Sequence, residues 1–244
     1  MRILVISDIH SNLEAFEAVL ADAGSVDQVW CLGDVVGYGP DPNACVDLLR
    51  SVPHQAIAGN HDWATLGKLD LNDFNPDARA ANLWNRKQLR PDNLDYLRAL
   101  PEQRVEGSFT LAHGSPRHPI WEYVIYESTA EAAFAYFETP ICLVGHTHTP
   151  AIFRQAESSE GRSCEALVPS WYVTTQLRPG RWIVNPGSVG QPRDGDPGAS
   201  YAIVDSEALA VEHRRVSYPV EKTQAKMMEH GLPMRLAVRL GYGW

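Results

Sequence analysis

A chain of 244 residues is long enough to bury a full core, and this length is ordinary for one layered α/β domain. Its composition, 44% apolar and 21% charged, is that of a soluble globular protein and excludes a disordered or fibrous one. The formal net charge of −9 argues against indiscriminate binding to nucleic-acid backbones, while leaving room for a local basic pocket.

Arg2 to Ser7 encloses Ile3-Leu4-Val5-Ile6, a run that fits a central strand covered on both faces and that ends in Asp8-Ile9-His10. Ser11 to Glu14 has the form of a capping box, and Leu13, Phe16, Val19 and Leu20 mark one face of the helix behind it. Val29 to Leu32 reads as a second buried strand, ending in Gly33-Asp34. Asp41 as N-cap and Pro42 at the first helical position start a helix that runs to about Arg50. Ala56-Ile57-Ala58 reads as a third strand, breaking into a loop at Gly59-Asn60-His61-Asp62. This β-α-β-α-β order predicts right-handed crossovers and a mostly parallel sheet.

Trp63 to Leu100 is helical in character, with stops before Pro76 and Pro91. Ser108 to Ala112 is a short strand ending in His113-Gly114, Thr129 to Phe137 a helix, and Ile141 to Val144 a buried strand ending in Gly145-His146-Thr147-His148. Beyond Pro150 the texture changes to short strands at 151–154, 170–175, 181–184 and 201–204, which look antiparallel. Ser158 to Ser163 reads as a polar hairpin tip or a disordered loop. Val220 to His230 is helical, and Pro233 opens a last amphipathic helix carrying Leu236 and Leu240. Leu232 to Leu240 either makes a homo-oligomer contact or, the commoner use, covers its own core. With no internal repeat or linker, residues 1–244 are expected to form a single domain. The four cysteines lack CxxC spacing and read as reduced. The apolar run after Met1 is interrupted by Asp8, and nothing reaches the length of a membrane span, so a cytoplasmic location without a membrane partner is expected.

The chemistry lies in what ends each apolar run: Asp8 and His10, Asp34, Asn60 and His61, His113, then His146 and His148. All carry oxygen or imidazole ligands, and the x-spaced pairs Asp8/His10 and His146/His148 share a side of an extended segment. Five of the nine histidines fall in these clusters; His54, His118, His213 and His230 are scattered and read as surface or core residues. Each cluster alone is accounted for as well by a turn. Together they are not, because every apolar strand of the parallel half ends in a ligand type.

Asp8-x-His10, Gly33-Asp34, Gly59-Asn60-His61-Asp62, His113-Gly114 and Gly145-His146-x-His148 match, in order, the five motifs of the calcineurin-like metallophosphoesterases, which the chain resembles over residues 8 to 148. Asn185-Pro186-Gly187-Ser188 followed by Arg193 resembles the closing segment of the bacterial members. The resemblance implies an α/β fold, a β-sandwich of two mixed sheets flanked by helices in four layers. It also implies two divalent metals, one held by Asp8, His10, Asp34 and His148, the other by Asp34, Asn60, His113 and His146, with Asp34 bridging. Mixed carboxylate, amide and imidazole ligands suit Mn, Fe, Zn, Co or Ni. Two metals about 3.5–4 Å apart lower the pKa of a shared water and draw charge from phosphate oxygens in flight. In this scheme His61 donates a proton to the leaving alkoxide, and Asp62 orients His61 and raises its basicity.

Arg193 is the preferred phosphate clamp, since a guanidinium binds two phosphate oxygens, and Arg117 and His118 are weaker candidates. Trp121, Tyr123 and Tyr126 either stack a nucleobase or pack their loop on the core. The Gly187 and Ser188 amides position a metal ligand or the phosphate. The expected activity is hydrolysis of phosphomonoesters or phosphodiesters of small molecules, nucleotides included. Alternatives are a nuclease or dinucleoside-polyphosphate hydrolase, with the acidic balance counting against long nucleic acids, and a non-catalytic protein-binding scaffold. Loss of a ligand would favour the scaffold, and none is lost.

Overall fold

The side-chain alternation of the first strand decides the layering. In the computed structural model, which describes residues 1–158 and 161–244, strand β1 (Arg2–Ile6) buries both faces. Ile3 and Val5 face a core between two sheets, and Leu4 and Ile6 face helices. A β-α-β-α-β unit follows: α1 (Leu13–Ala23), β2 (Gln28–Cys31), α2 (Pro42–Arg50) and β3 (His54–Ala56), with β1, β2 and β3 parallel. Helices α3 (Asn60–Leu66), α4 (Pro76–Gln88) and α5 (Pro91–Ala99) come next, the latter two opened by the prolines that favour a first helical turn.

The second sheet begins with β4 (Gln103–Glu106) and β5 (Phe109–Ala112), then α6 (Glu127–Ala133) and β6 (Ile141–Leu143). It continues through β7 (Ala151–Ser158), β8 (Gly161–Leu167) and, after β9 (Thr174–Gln176), β10 (Arg181–Asn185). The chain returns to the first sheet with β11 (Ala199–Asp205) and β12 (Ala210–Val216), and ends in α7 (Val220–Glu229) and α8 (Met234–Leu240). Both sheets are six-stranded and mixed, in the orders β3-β2-β1-β11-β12-β9 and β4-β5-β6-β10-β7-β8. Trp30, Phe109, Leu111, Ile141, Leu143 and Trp182 fill the space between them. Helices α1, α2 and α5 cover one outer face, and α6 covers the other with Phe134 against Phe153 and Ile183. This is the four-layer sandwich expected.

Several local expectations give way. The N-cap of α1 is Asn12, whose Oδ1 accepts from the Ala15 amide at 3.2 Å. Ser11 stands outside the helix at φ 54°, because the chain turns sharply after His10. Glu14 is therefore free of a capping box and pairs with Lys226 at 2.7 Å and Lys222 at 3.1 Å. Asp41 precedes α2 as expected but makes no side-chain cap, since its carboxylate also accepts from Lys226. Gly59-Asn60-His61-Asp62 opens helix α3 rather than a loop, Asp62 at the third position accepting from the Gly59 amide at 2.9 Å. Strands β4, β8 and β12 went unforeseen because Arg, Glu and His interrupt their apolar pattern. Ser159 and Glu160, at the centre of the expected hairpin tip, lie outside the described residues.

Helix α8 covers its own core. Leu232, Leu236 and Leu240 are buried with Met227 of α7, Ala78 and Ala81 of α4, and Tyr38. Among the described residues no helix is long and apolar enough to cross a membrane. Leu236→Ala should cost about 2–4 kcal/mol in denaturant unfolding through the cavity it leaves. Its elution volume should match the parent; a shift to smaller mass would mean that the face is an intermolecular contact instead.

Candidate metal centre

The strand ends of both sheets meet at one rim, and the backbone there is held in conformations that cost energy. Asp8, His10, Asp34, His146 and His148 all have φ between 49° and 65°. Non-glycine residues in this region cost on the order of 1–3 kcal/mol each and persist only where the surroundings over-determine them. The surroundings do so. The Asp8 amide donates to the Gly33 carbonyl at 3.1 Å and His10 to Asp34 at 2.9 Å, while Gly190 donates to the Asp8 carbonyl at 2.8 Å. Gly145 and Gly59 permit the approach: a Cβ would lie 1.9 Å from Ser7 Oγ at the first and 2.1 Å from Asp34 Oδ1 at the second.

Two buried ligand groups result, Asp8 with His10 and His148, and Asp34 with His113 and His146. In the first, His10 Nε2 is 3.1 Å from His148 Nε2, which lies 3.2 Å from Asp8 Oδ1. In the second, His113 Nε2 is 3.4 Å from Asp34 Oδ2 and 3.1 Å from Asn60 Oδ1. The same Asp34 oxygen lies 3.6 Å from His10 Nε2, so this carboxylate stands between the two groups. All seven residues singled out as ligands come together, each at most 3% exposed.

Every imidazole is oriented by a carbonyl. His10 Nδ1 meets Val36 O at 3.2 Å, His113 Nδ1 meets Leu32 O at 2.8 Å, and His148 Nδ1 meets Gln191 O at 2.6 Å. His146 uses its other nitrogen, Nε2 to Trp121 O at 3.2 Å. A carbonyl only accepts, so each of these nitrogens carries the hydrogen, and in the neutral ring the opposite one presents a lone pair. Asp8 Oδ1 and Asp34 Oδ2 are buried with no hydrogen-bond donor among the described residues. Lone pairs and orphaned anionic oxygens crowded into a buried cradle fit divalent cations, and this N/O donor set is one such cations take.

Burial lowers His10, His148 and His146, the last to about 3, and so keeps these rings in the neutral form that binds metal. Burial also opposes the charge of His113, but Asp34 outweighs it and lifts the ring to about 9. His113 must then release a proton on becoming a ligand. Asp34 itself stays below the usual carboxylate range, since the fields of His113 and His61 overcome its burial.

His61 is buried beside this cradle, its ring 4.8 Å from His10 and 4.3 Å from Tyr38. The group that orients it is Asn82, whose Oδ1 lies 2.9 Å from Nδ1. The expected Asp62 partnership is thus corrected. The Asp62 carboxylate accepts from the amides of Asp34 at 2.9 Å, Val36 at 3.1 Å and Gly59 at 2.9 Å, so it ties two ligand-bearing loops together. Opening a helix turns the Asp62 side chain back to the backbone and away from the ring of its neighbour. Burial brings His61 down to about 4.

Arg193 stands at the rim, donating to Gln191 Oε1 at 2.8 Å and to the Tyr38 hydroxyl at 3.4 Å. Arg117 does not face the site as a free cation; its Nε and Nη2 engage Glu122, which Ser115 also holds. His118 is exposed. Tyr123 stacks on His146 at 4.0 Å, and Trp121 packs on Phe74 at 5.0 Å, which in turn meets His61 at 5.2 Å. Tyr126, 71% exposed, takes no part in this stack. The Gly187 amide is taken by Asn185 Oδ1 at 2.9 Å, and Ser188 acts through its hydroxyl, which donates to the Asp8 carbonyl at 3.0 Å. Sequence reasoning missed Asn82, Asn85 and Tyr38. A signal existed for the first two, because Asn82 and Asn85 share the buried stripe of α4 with Ala78 and Ala81. Asn85 Oδ1 accepts from Ser11 Oγ at 2.7 Å and Gly37 N at 3.2 Å.

Known proteins resemble this chain in sequence and fold. A metallophosphoesterase structure from Sphaerobacter thermophilus matches with a TM-score of 0.90 and 50% identity, covering 100% of this chain and 99% of that one. The Methanocaldococcus jannaschii protein MJ0912 is 40% identical over 99% of this chain and 98% of its own length. The Escherichia coli phosphodiesterase YfcE is 26% identical over 86% of this chain and 91% of its own length. Residues 1–208 match the model of the calcineurin-like phosphoesterase superfamily domain. The chain belongs to the calcineurin-like phosphoesterase superfamily.

Proposed function

We propose that residues 1–244 act as one catalytic unit that hydrolyses phosphomonoesters or phosphodiesters of small molecules, nucleotides included, with two divalent transition-metal ions. The observation that carries this reading is the pair of buried ligand groups with Asp34 between them, at 3.4 Å from His113 and 3.6 Å from His10. Asp8, His10, Asp34 and His148 would hold one ion, and Asp34, Asn60, His113 and His146 the other. Bound there, the ions supply Lewis-acid chemistry, lowering the pKa of water and drawing charge from the phosphoryl oxygens.

The remaining roles fall to the chain itself. Arg193, fixed by Gln191 and Tyr38, binds phosphoryl oxygens through the free edge of its guanidinium. His61 gives a proton to the leaving oxygen. Its Nδ1 hydrogen is held by Asn82, which leaves Nε2 for the substrate. Burial disfavours the charged ring in the empty pocket, and an incoming phosphate dianion restores it by adding negative charge alongside. Asp62 is a positioning residue for the Asp34 loop. The free cysteines Cys31, Cys45 and Cys142, all buried, support a reducing, cytoplasmic setting.

Chelation should abolish p-nitrophenyl phosphate hydrolysis and lower the melting temperature, and Mn²⁺ should restore both. Turnover indifferent to chelator would overturn the assignment. His61→Ala should reduce kcat by about 10²–10⁴-fold toward poor leaving groups. Mass-spectrometric metal analysis should still find two ions per chain, and full activity in this variant would remove His61 from the mechanism. Asp62→Ala should behave differently, losing more than about 3 kcal/mol of stability by stranding three backbone amides. Its metal content should fall with its stability, whereas an intact variant with a selective kcat defect would return Asp62 to the acid–base role.

A further inference from the structure

The chain carries a net charge of −9, yet among the described residues not every arginine near the rim of the metal centre and on α8 is paired with an Asp or Glu side chain. Arg90, Arg117, Arg154 and Arg215 each hold an acidic side chain within 4.0 Å. Among the described residues, Arg193, Arg235 and Arg239 form no such pair. Arg235 and Arg239 lie one helical turn apart on α8 and line an open cavity of about 610 Å³ together with Asn75, Asp77, Val238 and Trp244. Among the described residues Asp77 is the one carboxylate side chain of that lining, and it forms no ion pair with either arginine.

Arg193 stands between this cavity and the metal centre. It donates to the Tyr38 hydroxyl at 3.4 Å, and the Tyr38 ring lies 4.6 Å from that of His10 and 4.3 Å from that of His61. Tyr38 is the shared wall: it touches His10 and His61, accepts from Arg193, and packs against Leu236 and Leu240 of α8. Burial and then Arg193 lower Arg239 to about 10, a cost that an anion in the cavity would offset. Arg239 is braced by its Nε, which donates to the main-chain oxygen of Trp244, and the Gly243 carbonyl accepts from the Gly195 amide at 3.0 Å. The segment bearing Arg193 and the end of α8 are thus fastened to each other. Helix α8 lies beyond residues 1–208, the part matched by the superfamily model.

We propose that Arg235 and Arg239, continued by Arg193, form a subsite for a further phosphate group of the substrate, so that the chain selects molecules carrying a run of phosphates. The inference rests on the phosphoesterase reading for its link to substrate. The anion site itself is testable without catalysis. Guanidinium pairs suit phosphate oxygens because two parallel N–H groups match two oxygens, and a phosphate run places such oxygens at successive intervals.

Calorimetric titration of inorganic tripolyphosphate into chelator-treated protein reads the subsite directly. The parent should bind it, and Arg235→Glu, an exposed change, should weaken binding by about tenfold or more. Arg239→Gln should do likewise, and Arg239→Lys, which keeps charge and stem, should retain most of the affinity. With excess Mn²⁺, tripolyphosphate should inhibit p-nitrophenyl phosphate hydrolysis competitively in the parent and far more weakly in Arg235→Glu. That variant should keep kcat/KM for p-nitrophenyl phosphate within about twofold, since a single phosphate does not reach α8. No binding by the parent, binding undiminished in Arg235→Glu and Arg239→Gln, or noncompetitive inhibition would each overturn the proposal. Metal-independent or absent hydrolysis alongside intact, Arg235-dependent binding would sink the phosphoesterase reading while leaving an anion site on α8.

Discussion

One buried carboxylate organises the molecule. Asp34 sits between two ligand groups, each assembled from the strand ends of both sheets, with one oxygen accepting from the His61 amide at 2.8 Å and the other left without a donor among the described residues. An ionised group in that position is costly unless positive charge meets it, which is why the arrangement fits cations so closely. Much of the surrounding structure exists to keep Asp34 there. Asp62 holds its amide, and Gly59, which nothing bulkier could replace without meeting Asp34 Oδ1, lets α3 begin against it.

The same demand accounts for the strain. Left-handed backbone at Asp8, His10, Asp34, His146 and His148 lets the chain reverse immediately after each strand, so that ligands stand on the rim instead of continuing the sheet. An isolated peptide would relax these turns. Here a mesh of loop-to-loop hydrogen bonds prevents it, including Asn185 Nδ2 to Gly145 O at 2.8 Å and the Ser188 hydroxyl to Asp8 O. Stability is spent on a preformed cradle, and ligand geometry is set by the protein before any ion arrives.

Most of this was legible because strand ends are punctuated in sequence. Ile3 to Ile6 and Ile141 to Val144 are unbroken apolar runs, and a polar ligand directly after such a run falls where a buried strand reaches the rim of its sheet. The parallel half and the candidate clusters followed from that contrast, and the ordered motifs supplied the sandwich and the division of those clusters into ligands and acid. What escaped was long-range or polar. β12 reads Ala-Val-Glu-His-Arg-Arg-Val, and only its pairing with the buried β11 makes a strand of it. The Asp62 error has a similar root. Adjacency in sequence suggested a partner for His61, whereas the first turn of a helix points neighbouring side chains about 100° apart. Asn82, twenty-one residues on, reaches the ring because α4 packs on α3.

The C-terminal segment bears on the site for the same reason. Asn12, two residues past His10, donates to the Gly190 carbonyl at 2.9 Å and the Tyr218 hydroxyl at 3.1 Å, and accepts from Thr223 at 3.0 Å. Lys226 of α7 meets both Glu14 and Asp41, which flank the loops carrying His10 and Tyr38. Leu236 and Leu240 then close over Tyr38 itself. Helices α7 and α8 are therefore built into the back wall of the metal centre, and the ring of Tyr38 is in contact with His10 on one side and with the α8 core on the other.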